Sequence, residues 1–314
     1  MAPGFGHALA AQTVASNFMM LQISASLWEG GMNWWVIHGE PTLGTFELEH
    51  RGLEERFSYN EQNLAAVKKT RQPVVAEHSG FHDLFVPIIA RNKVVAVLVS
   101  GPFATARPTS AAVLAHWRAL SGRQGHPGDS QFADYLAATL STLVLEGDRL
   151  QSFVKLGSCL GQLLAGEGKA DELANEAEAL RLELEPVRLV ERTWGAVRGM
   201  LDDRSSRTWS SSYTAHTLAG LGLSRIADHV LVGLTLSQRP DFDPVDEIIR
   251  RDAFQRRAVA LAREVGDVIA GQVGDHGVVF LSAASGATAR KRQKLLDLVD
   301  QSTRLARREF GLAL

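Results

Sequence analysis

Two apolar runs separated by only two residues are the feature that most constrains the fold of this chain. Asp83–Ala90 and Lys93–Ser100 are rich in apolar residues, and Arg91 and Asn92 lie between them. A two-residue connection is the commonest loop of a β-hairpin. The core of the second run is almost wholly apolar and β-branched, as in a strand that is covered on both faces. The sequence therefore predicts an antiparallel sheet whose centre is buried.

Patterns on either side of this hairpin predict further elements. Leu21–Leu27 and Asn33–His38 are apolar or aromatic runs split by two glycines, and Thr45–His50 alternates like a half-buried strand. Asn60–Arg71 has the spacing of an amphipathic helix, and Ser110–Leu120 predicts another, followed by a loop rich in Gly, Pro and Ser.

A long apolar stripe dominates the middle of the chain. Gln131–Leu164 carries apolar residues spaced mostly by three or four, which predicts one long helix. Such a stripe needs a partner surface, which can be a domain or a second copy of the chain. Ala170–Leu201 predicts a second helical region, kinked or broken at Pro186.

The C-terminal part has a β-α-β-β-α pattern. A core strand is predicted at His229–Leu236, a helix at Asp246–Val265, a hairpin from Val268–Ala270 and Val278–Leu281, and a basic helix at Ala289–Phe310. Together with the hairpin near the N-terminus, these segments predict a mixed α/β (α+β) protein.

Composition excludes several classes of protein. The 314 residues suffice for two domains, and 45% hydrophobic with 22% charged residues is ordinary for a soluble protein. A net charge of −2 gives no global attraction to nucleic acid or to an anionic membrane. One cysteine, Cys159, excludes an internal disulfide framework. Neither a secretory signal nor a transmembrane run is evident, so a cytoplasmic location is expected.

Residues 78–103, HSGFHDLFVPIIARNKVVAVLVSGPF, resemble the PocR-type sensory domains of bacterial regulators. The preceding helix, NEQNLAAVKKTRQPVV, fits the same pattern, and the resemblance covers roughly residues 15–165. It implies a PAS/GAF-like antiparallel sheet that backs a pocket for a small effector.

Residues from about 221 to 314 are similar to GGDEF-type domains, particularly the degenerate ones of AraC-family transcription regulators. HVLVGLTL corresponds to the first core strand, RRDAFQRRAVALAREVGD to the next helix and VIAGQVGDHGVVFL to the signature hairpin. KRQKLLDLVDQSTRLARREFGL matches the helix that follows. The resemblance implies a partial cyclase-like (ferredoxin-like) domain.

The residues that carry cyclase chemistry are missing from this second resemblance. The signature positions are Gly274–Val278, where His276 and Gly277 replace the carboxylates. The second metal-binding Asp is expected after the first strand, at Thr235–Gln238, and none is there. Nucleotidyl transfer needs metal ions held by hard oxygen ligands. We therefore expect no enzyme activity. The alternative left open is a protein that binds or processes a nucleotide or cyclic dinucleotide.

Both resemblances together imply the ligand-sensing region of a transcription regulator. It divides into a sensory domain at 1–130, a helical connector and dimerisation region at 131–220, and a degenerate, truncated GGDEF-like domain at 221–314. The expected partners are a small-molecule effector, a second copy of the chain as a homodimer, and DNA, the last only through a helix-turn-helix region missing from the C-terminus. No membrane partner and no cofactor are expected.

Aromatic and imidazole side chains of the sensory domain are the candidate site. Adjacent Trp34 and Trp35 point to opposite faces of a strand, so that one of them can face a pocket. Mostly apolar walls with a few polar groups suit small ligands. The predicted effector-binding residues are Trp28, Trp34, Trp35, His38, Phe46, His78, Phe81, His82 and Phe85.

A metal site is the competing interpretation of one part of this set. Glu77, His78, His82 and Asp83 form a potential ligand cluster, to which His38, Glu47, Glu49 and His50 could add only through folding. Ser79 and Gly80 interrupt the cluster and indicate a loop, which weakens the shared-metal geometry of two imidazoles four residues apart on a helix. Neither metal ligands nor catalytic residues are predicted.

Overall fold

The predicted hairpin forms the centre of a five-stranded antiparallel sheet. In the computed structural model, β4 (Phe81–Ala90) and β5 (Lys93–Phe103) pair through a turn at Arg91 and Asn92. Both turn residues have positive φ, 50° and 61°, which matches the right-handed twist of the two strands. The hairpin prediction is confirmed.

The structure describes part of the chain, and that part divides into two units. The described residues are 5–21, 23–39, 43–51, 53–167, 172–178, 180, 230–237, 243–265, 268–273, 277–282 and 288–314. The units are Met1–Glu183 and Leu184–Leu314. The N-terminal unit holds the predicted sensory region and the first part of the predicted connector. The boundaries at 130 and 220 stay predictions.

The sheet has the order β2-β1-β5-β4-β3. The outer strands are β2 (Asn33–His38) and β3 (Val74–His78), and β1 (Ala25–Gly30) lies next to β5. Since β2 matches the predicted strand at Asn33–His38, that prediction is confirmed. The mixed α+β fold class is likewise confirmed, with antiparallel pairing throughout this sheet.

Helices pack on both faces of the sheet. On one face lie α1 (Phe5–Leu21) and α6 (Asp148–Ala165), which contact each other. Glycines at positions 157 and 161 let α6 approach β4, because an added Cβ would lie within 3.1 Å of β4 side chains. On the other face α3 (Leu53–Thr70) covers Phe85 and its neighbours.

Three more helices lie on the same side of the sheet as α3. They are α2 (Leu43–Arg51), α4 (Ser110–Ser121) and α5 (Ser130–Ser141). The oxygens of Thr109 and Asp129 cap α4 and α5 at their N-termini. Both helices contact α2. Tertiary contact therefore fixes the position of α2, which lies over one end of the sheet.

Three expectations for this unit are wrong: the strands at Thr45–His50 and Leu21–Leu27, and the single helix at Gln131–Leu164. Thr45–His50 is helical because its inward positions, Leu43, Phe46, Glu47 and His50, follow helical spacing. Leu21–Leu27 holds the end of α1 and the start of β1.

The predicted loop at Ser79 and Gly80 is confirmed: it is a tight turn between β3 and β4, with φ of 52° and 84° at those two residues. The predicted long helix Gln131–Leu164 is two helices. It is interrupted at Leu143 and Leu145, whose backbones bond to Ala104.

This interruption removes the sequence argument for a second copy of the chain. Phe153, Leu156 and Leu160 of α6 are buried, and α6 packs on β4. Their apolar surface is thus covered inside the unit. Homodimerisation stays a prediction.

The C-terminal unit contains a three-stranded antiparallel sheet. Its order is β6-β9-β8, with β6 at Val230–Leu234, β8 at Val268–Val273 and β9 at Gly277–Ser282. Two helices pack on it, α7 (Pro244–Val265) and α8 (Thr288–Leu305).

A short second sheet pairs β7 (Leu236–Ser237) with β10 (Leu312–Ala313), after a π-helical turn at Ala306–Phe310. The predicted β-α-β-β-α order is confirmed for the described residues.

Most of the predicted helical region Ala170–Leu201 lies outside the described residues, although 172–178 are helical. No helix in the described ranges is long and apolar enough to cross a membrane.

Candidate functional site

Two cavities lie between the sheet and the helices α2 and α3. The first encloses about 590 Å³ of empty space and the second about 900 Å³, each figure including space open to solvent. The first extends towards α4 and α5, and several of its walls are apolar: Leu43, Phe81, Pro102, Ala119, Leu120 and Tyr135. The second extends towards β1 and β2 and has more small polar groups: Ser24, Ser26, Thr45 and Asn60.

A charged cluster forms the wall that both cavities share. Glu47, Arg56 and Asp83 line both, together with Gly44 and Pro102. Nη2 of Arg56 lies 2.9 Å from Oδ2 of Asp83, and Nη1 lies 3.8 Å from Oε2 of Glu47. Oε1 of Glu47 pairs with Nε2 of His78. The cluster joins α2, α3, β3 and β4, and we call it the Arg56 cluster.

Tyr59, one turn after Arg56 on α3, supports the cluster. Its ring stacks on His78 with centroids 4.5 Å apart, and the Arg56 guanidinium lies 5.1 Å from the ring centroid. The hydroxyl of Tyr59 donates to the carbonyl of Ala76 at 3.0 Å. Aromatic stacking and ring–cation contact therefore hold Arg56 and His78 in place.

Gly101 on β5 has no side chain, and the carboxylate of Asp83 occupies the space where one would lie. A Cβ added at Gly101 would lie 2.0 Å from Oδ1 of Asp83 and 3.0 Å from the carbonyl oxygen of His82. Asp83 is only 2% exposed. The carboxylate thus lies directly over the neighbouring strand, where any other side chain would displace it.

We expect Gly101→Ala to lower the free energy of unfolding of the N-terminal unit by about 1–3 kcal/mol, because the added methyl group overpacks this position. Urea denaturation of the full chain, with hydrogen exchange of β4 and β5 peptides as the local readout, measures the effect. Gly39→Ala is the matched control, since its Cβ would meet only Val36 at 3.6 Å. Equal losses of stability in Gly101→Ala and Gly39→Ala would contradict the close approach of Asp83 to Gly101.

Burial raises the pKa of Asp83 above its ordinary value, against the lowering effect of Arg56. Burial likewise raises the pKa of Tyr59, and the negative charge of Asp83 adds to that rise. In the first cavity, burial raises the pKa of Tyr135 to about 12. Both tyrosines are therefore neutral hydroxyls at neutral pH.

The raised pKa of Asp83 predicts a pH dependence of stability. Between its ordinary pKa of about 4 and the raised pKa of the folded state, the folded chain holds a proton at Asp83 that the unfolded chain has released. Stability therefore falls as pH rises through the window between the two pKa values. Asp83→Asn cannot titrate, so its stability relative to the wild type should increase with pH across that window.

Urea denaturation at a series of pH values measures this difference. Exposed Asp134 on α5 offers a matched control, Asp134→Asn. If Asp83→Asn and Asp134→Asn differ from the wild type by the same amount at every pH, burial does not raise the pKa of Asp83.

Two buried polar atoms beside the cluster lack hydrogen bonds. Within the described part of the chain, Oδ1 of Asn60 accepts no hydrogen bond, and Oγ of Ser79 makes none. Asn60 lines the second cavity and Ser79 the first. Because buried polar atoms are nearly always paired in folded proteins, these two atoms are candidate hydrogen-bonding positions for a molecule in the cavities.

The structure brings together only part of the predicted effector-binding set. His78 and Phe81 line the first cavity, and Trp34 lines the second. Phe46 lines neither cavity, but its ring lies edge-on to that of Tyr135, a wall of the first cavity, with the centroids 5.7 Å apart. These four side chains lie in or next to the candidate site.

The other predicted residues lie elsewhere. Trp28 and Phe85 are buried in one hydrophobic cluster beneath α3, and Trp28 donates to the carbonyl of Gly31 at 2.9 Å. Trp35 is 60% exposed and donates to Glu29. His82 points to the opposite face of β4, where it stacks on Phe103. His38 pairs with Ala25 in the backbone of the sheet and lines neither cavity.

Alternation along β3 and β4 also separates the competing metal ligands. His78 and Asp83 face the cavities, whereas Glu77 pairs with His82 on the other face. No group of three or more His, Cys, Asp or Glu side chains in the described ranges is placed to hold a metal ion.

Arg56 is a residue of the candidate site that the sequence patterns miss. In the sequence, Glu47 and Asp83 are candidates for metal ligands only. A signal for Asp83 exists, since a carboxylate inside the apolar strand FHDLFVPII must find a buried partner. Arg56 gives no such signal, because it lies in a polar helix and only folding places it opposite Asp83.

The signature hairpin of the GGDEF resemblance lies partly outside the described residues. Gly274, Asp275 and His276 are among those not described, whereas Gly277 and Val278 begin β9. Gln255 of α7 donates to the carbonyl of Gly277 at 2.8 Å and fixes this end of the strand. His276 as a replacement for a carboxylate stays a prediction.

Comparisons with known proteins leave the assignment of function to the geometry alone. No protein-family model matches the chain, and no curated protein matches it significantly.

Proposed function

We propose that the N-terminal unit binds a small effector at the Arg56 cluster, and that the chain is the ligand-sensing region of a bacterial transcription regulator. The observation that carries the proposal is a half-buried guanidinium and two buried carboxylates on the wall that two cavities share. Ionised groups are costly to bury, so a cluster of this kind beside empty space is typical of a binding site.

The shape of the site supports binding of a small molecule. Mostly apolar walls with a few converging polar groups suit a small organic ligand. The resemblances to PocR-type sensory domains and to AraC-family regulators add the regulatory context, and a homodimer is part of this proposal.

Relay of the effector's presence requires that the ligand prefer one arrangement of the helices. Both cavities have α2 and α3 as walls, and α4 and α5 contact α2. A ligand that contacts Glu47 and Arg56 would therefore bias the position of α2, and through it α4 and α5.

A thermal-shift screen of the full chain against small metabolites tests the proposal. A ligand that binds the folded state raises the melting temperature. We expect at least one class of small molecule to do so, and Trp34→Ala to weaken its binding roughly tenfold, about 1.4 kcal/mol.

Trp35→Ala is the matched control, since Trp35 is exposed and lines neither cavity. If no compound stabilises the chain, or if binding is lost equally in both variants, this assignment of the site fails.

A further inference from the structure

We infer that the Arg56 cluster recognises a small zwitterion that carries an ammonium group and a carboxylate, as an α-amino acid does. This inference rests on the proposed function and names the chemical class of the effector. It follows from the open hydrogen-bonding groups of the cluster, from its charge, and from the difference between the two cavities.

Arg56 offers donors for the carboxylate. A guanidinium has five N–H donors, and within the described residues this one bonds to Asp83 at 2.9 Å. Its Nη1 lies 3.8 Å from Glu47, which is beyond hydrogen-bond length. Because Arg56 lines both cavities, donors not taken by Asp83 are within reach of a ligand oxygen. Arginine binds carboxylates especially well, through paired parallel hydrogen bonds.

Glu47 and Asn60 offer acceptors for the ammonium. Glu47 uses Oε1 for His78, while Oε2 accepts no hydrogen bond from Arg56 at 3.8 Å. The orphaned Oδ1 of Asn60 is buried and belongs to the wall of the second cavity, as does Glu47. An ammonium has three N–H donors and can satisfy both oxygens.

The charges and donors of the cluster together favour a ligand with both kinds of charge. A lone anion would add to the two carboxylates of Glu47 and Asp83, and a lone cation would leave the remaining donors of Arg56 without an acceptor. A zwitterion leaves the total charge unchanged and places each charge next to its opposite.

The first cavity can hold the side chain of such a ligand. Leu43, Phe81 and Leu120 give it apolar walls, with the Tyr135 ring beside them. An apolar or aromatic side chain can occupy this space while the charged groups stay at the cluster. The preferred ligand therefore has a hydrophobic side chain.

Two matched sets of probes test the inference on the full chain. They are L-leucine with 3-methylbutylamine and 4-methylpentanoate, and L-phenylalanine with 2-phenylethylamine and 3-phenylpropanoate. Each amine lacks the carboxylate and each acid lacks the ammonium. Calorimetric titration should give at least one of the two amino acids an affinity ten times or more that of either analogue.

Glu47→Gln should remove this preference over the acid, so that the amino acid and its acid analogue bind within about threefold of each other. Glu49→Gln, on the exposed side of the same helix, should keep the preference. An amine or acid that binds as tightly as the amino acid overturns the zwitterion inference. Binding of another screened compound, with none of these probes bound, overturns it too. In both cases the proposed function stands, whereas it fails with the inference if nothing in the screen binds.

Discussion

Replacing Arg56 with methionine is expected to abolish effector binding and to lower the free energy of unfolding of the N-terminal unit by about 3 kcal/mol at neutral pH. Removing one partner of a buried ion pair typically costs about 3–5 kcal/mol, because the other charge stays buried without compensation. Asp83 is that charge, and it is 2% exposed. We expect the lower end of this range of free energies because the Arg56 side chain is 26% exposed.

The loss of stability in Arg56→Met should become smaller as pH falls. Asp83 already has a pKa raised by burial, and Arg56 is the group that lowers it. Without Arg56, that pKa rises further, so the folded chain takes up a proton more readily and the penalty is relieved in acid. Urea denaturation at neutral pH and near pH 5 measures both effects.

Three further variants separate charge from packing. Arg56→Lys keeps the charge and should restore more than half of the stability. Asp83→Asn combined with Arg56→Met should recover part of the loss, since the uncompensated charge is gone. Arg107→Met alters an exposed arginine and should change little. Equal stability of Arg56→Met and Arg107→Met would show that Arg56 does not compensate Asp83.

The second large effect is expected from Phe85→Ala, which should cost about 3–5 kcal/mol. Phe85 is fully buried and packs with Trp28, Leu64 and Val67 in the cluster beneath α3. Its ring also lies 5.8 Å from that of Tyr59. The cavity left by the truncation would loosen α3 and, with it, the positions of Tyr59 and Arg56.

Phe57→Ala provides a matched control on α3 itself, because Phe57 is 39% exposed. It should cost less than half as much. Urea denaturation of the two variants gives the comparison, and hydrogen exchange of α3 shows whether the helix loosens. Similar losses of stability in Phe57→Ala and Phe85→Ala would contradict the difference in burial between these two side chains.

Sequence patterns predicted the elements in which local and tertiary preferences agree. The β4–β5 hairpin combines an apolar run with a two-residue turn, and both signals act over a few residues. The segment Thr45–His50 shows the limit of such patterns. Its alternation resembles a strand, yet contacts of α2 with α4 and α5 place Phe46 and Glu47 on one side of a helix.

The candidate site was harder to predict than the fold because its key contacts are distant in the sequence. Aromatic residues suggested a pocket, and His78, Phe81 and Trp34 do line the cavities. Composition could not distinguish these from Trp28 and Phe85, which serve the core. The ion pair between Arg56 and Asp83 depends on the packing of α3 against β4, which no local pattern encodes.

Hydrogen–deuterium exchange of the full chain, with and without the most stabilising compound of the thermal-shift screen, tests the central claim most directly. Binding at the Arg56 cluster predicts slower exchange in Leu43–Arg51, in the first turns of Leu53–Thr70 and at Phe81–Asp83, with no change in Pro244–Val265. Protection confined to residues 230–314 would contradict the account, because it would place the effector in the C-terminal unit.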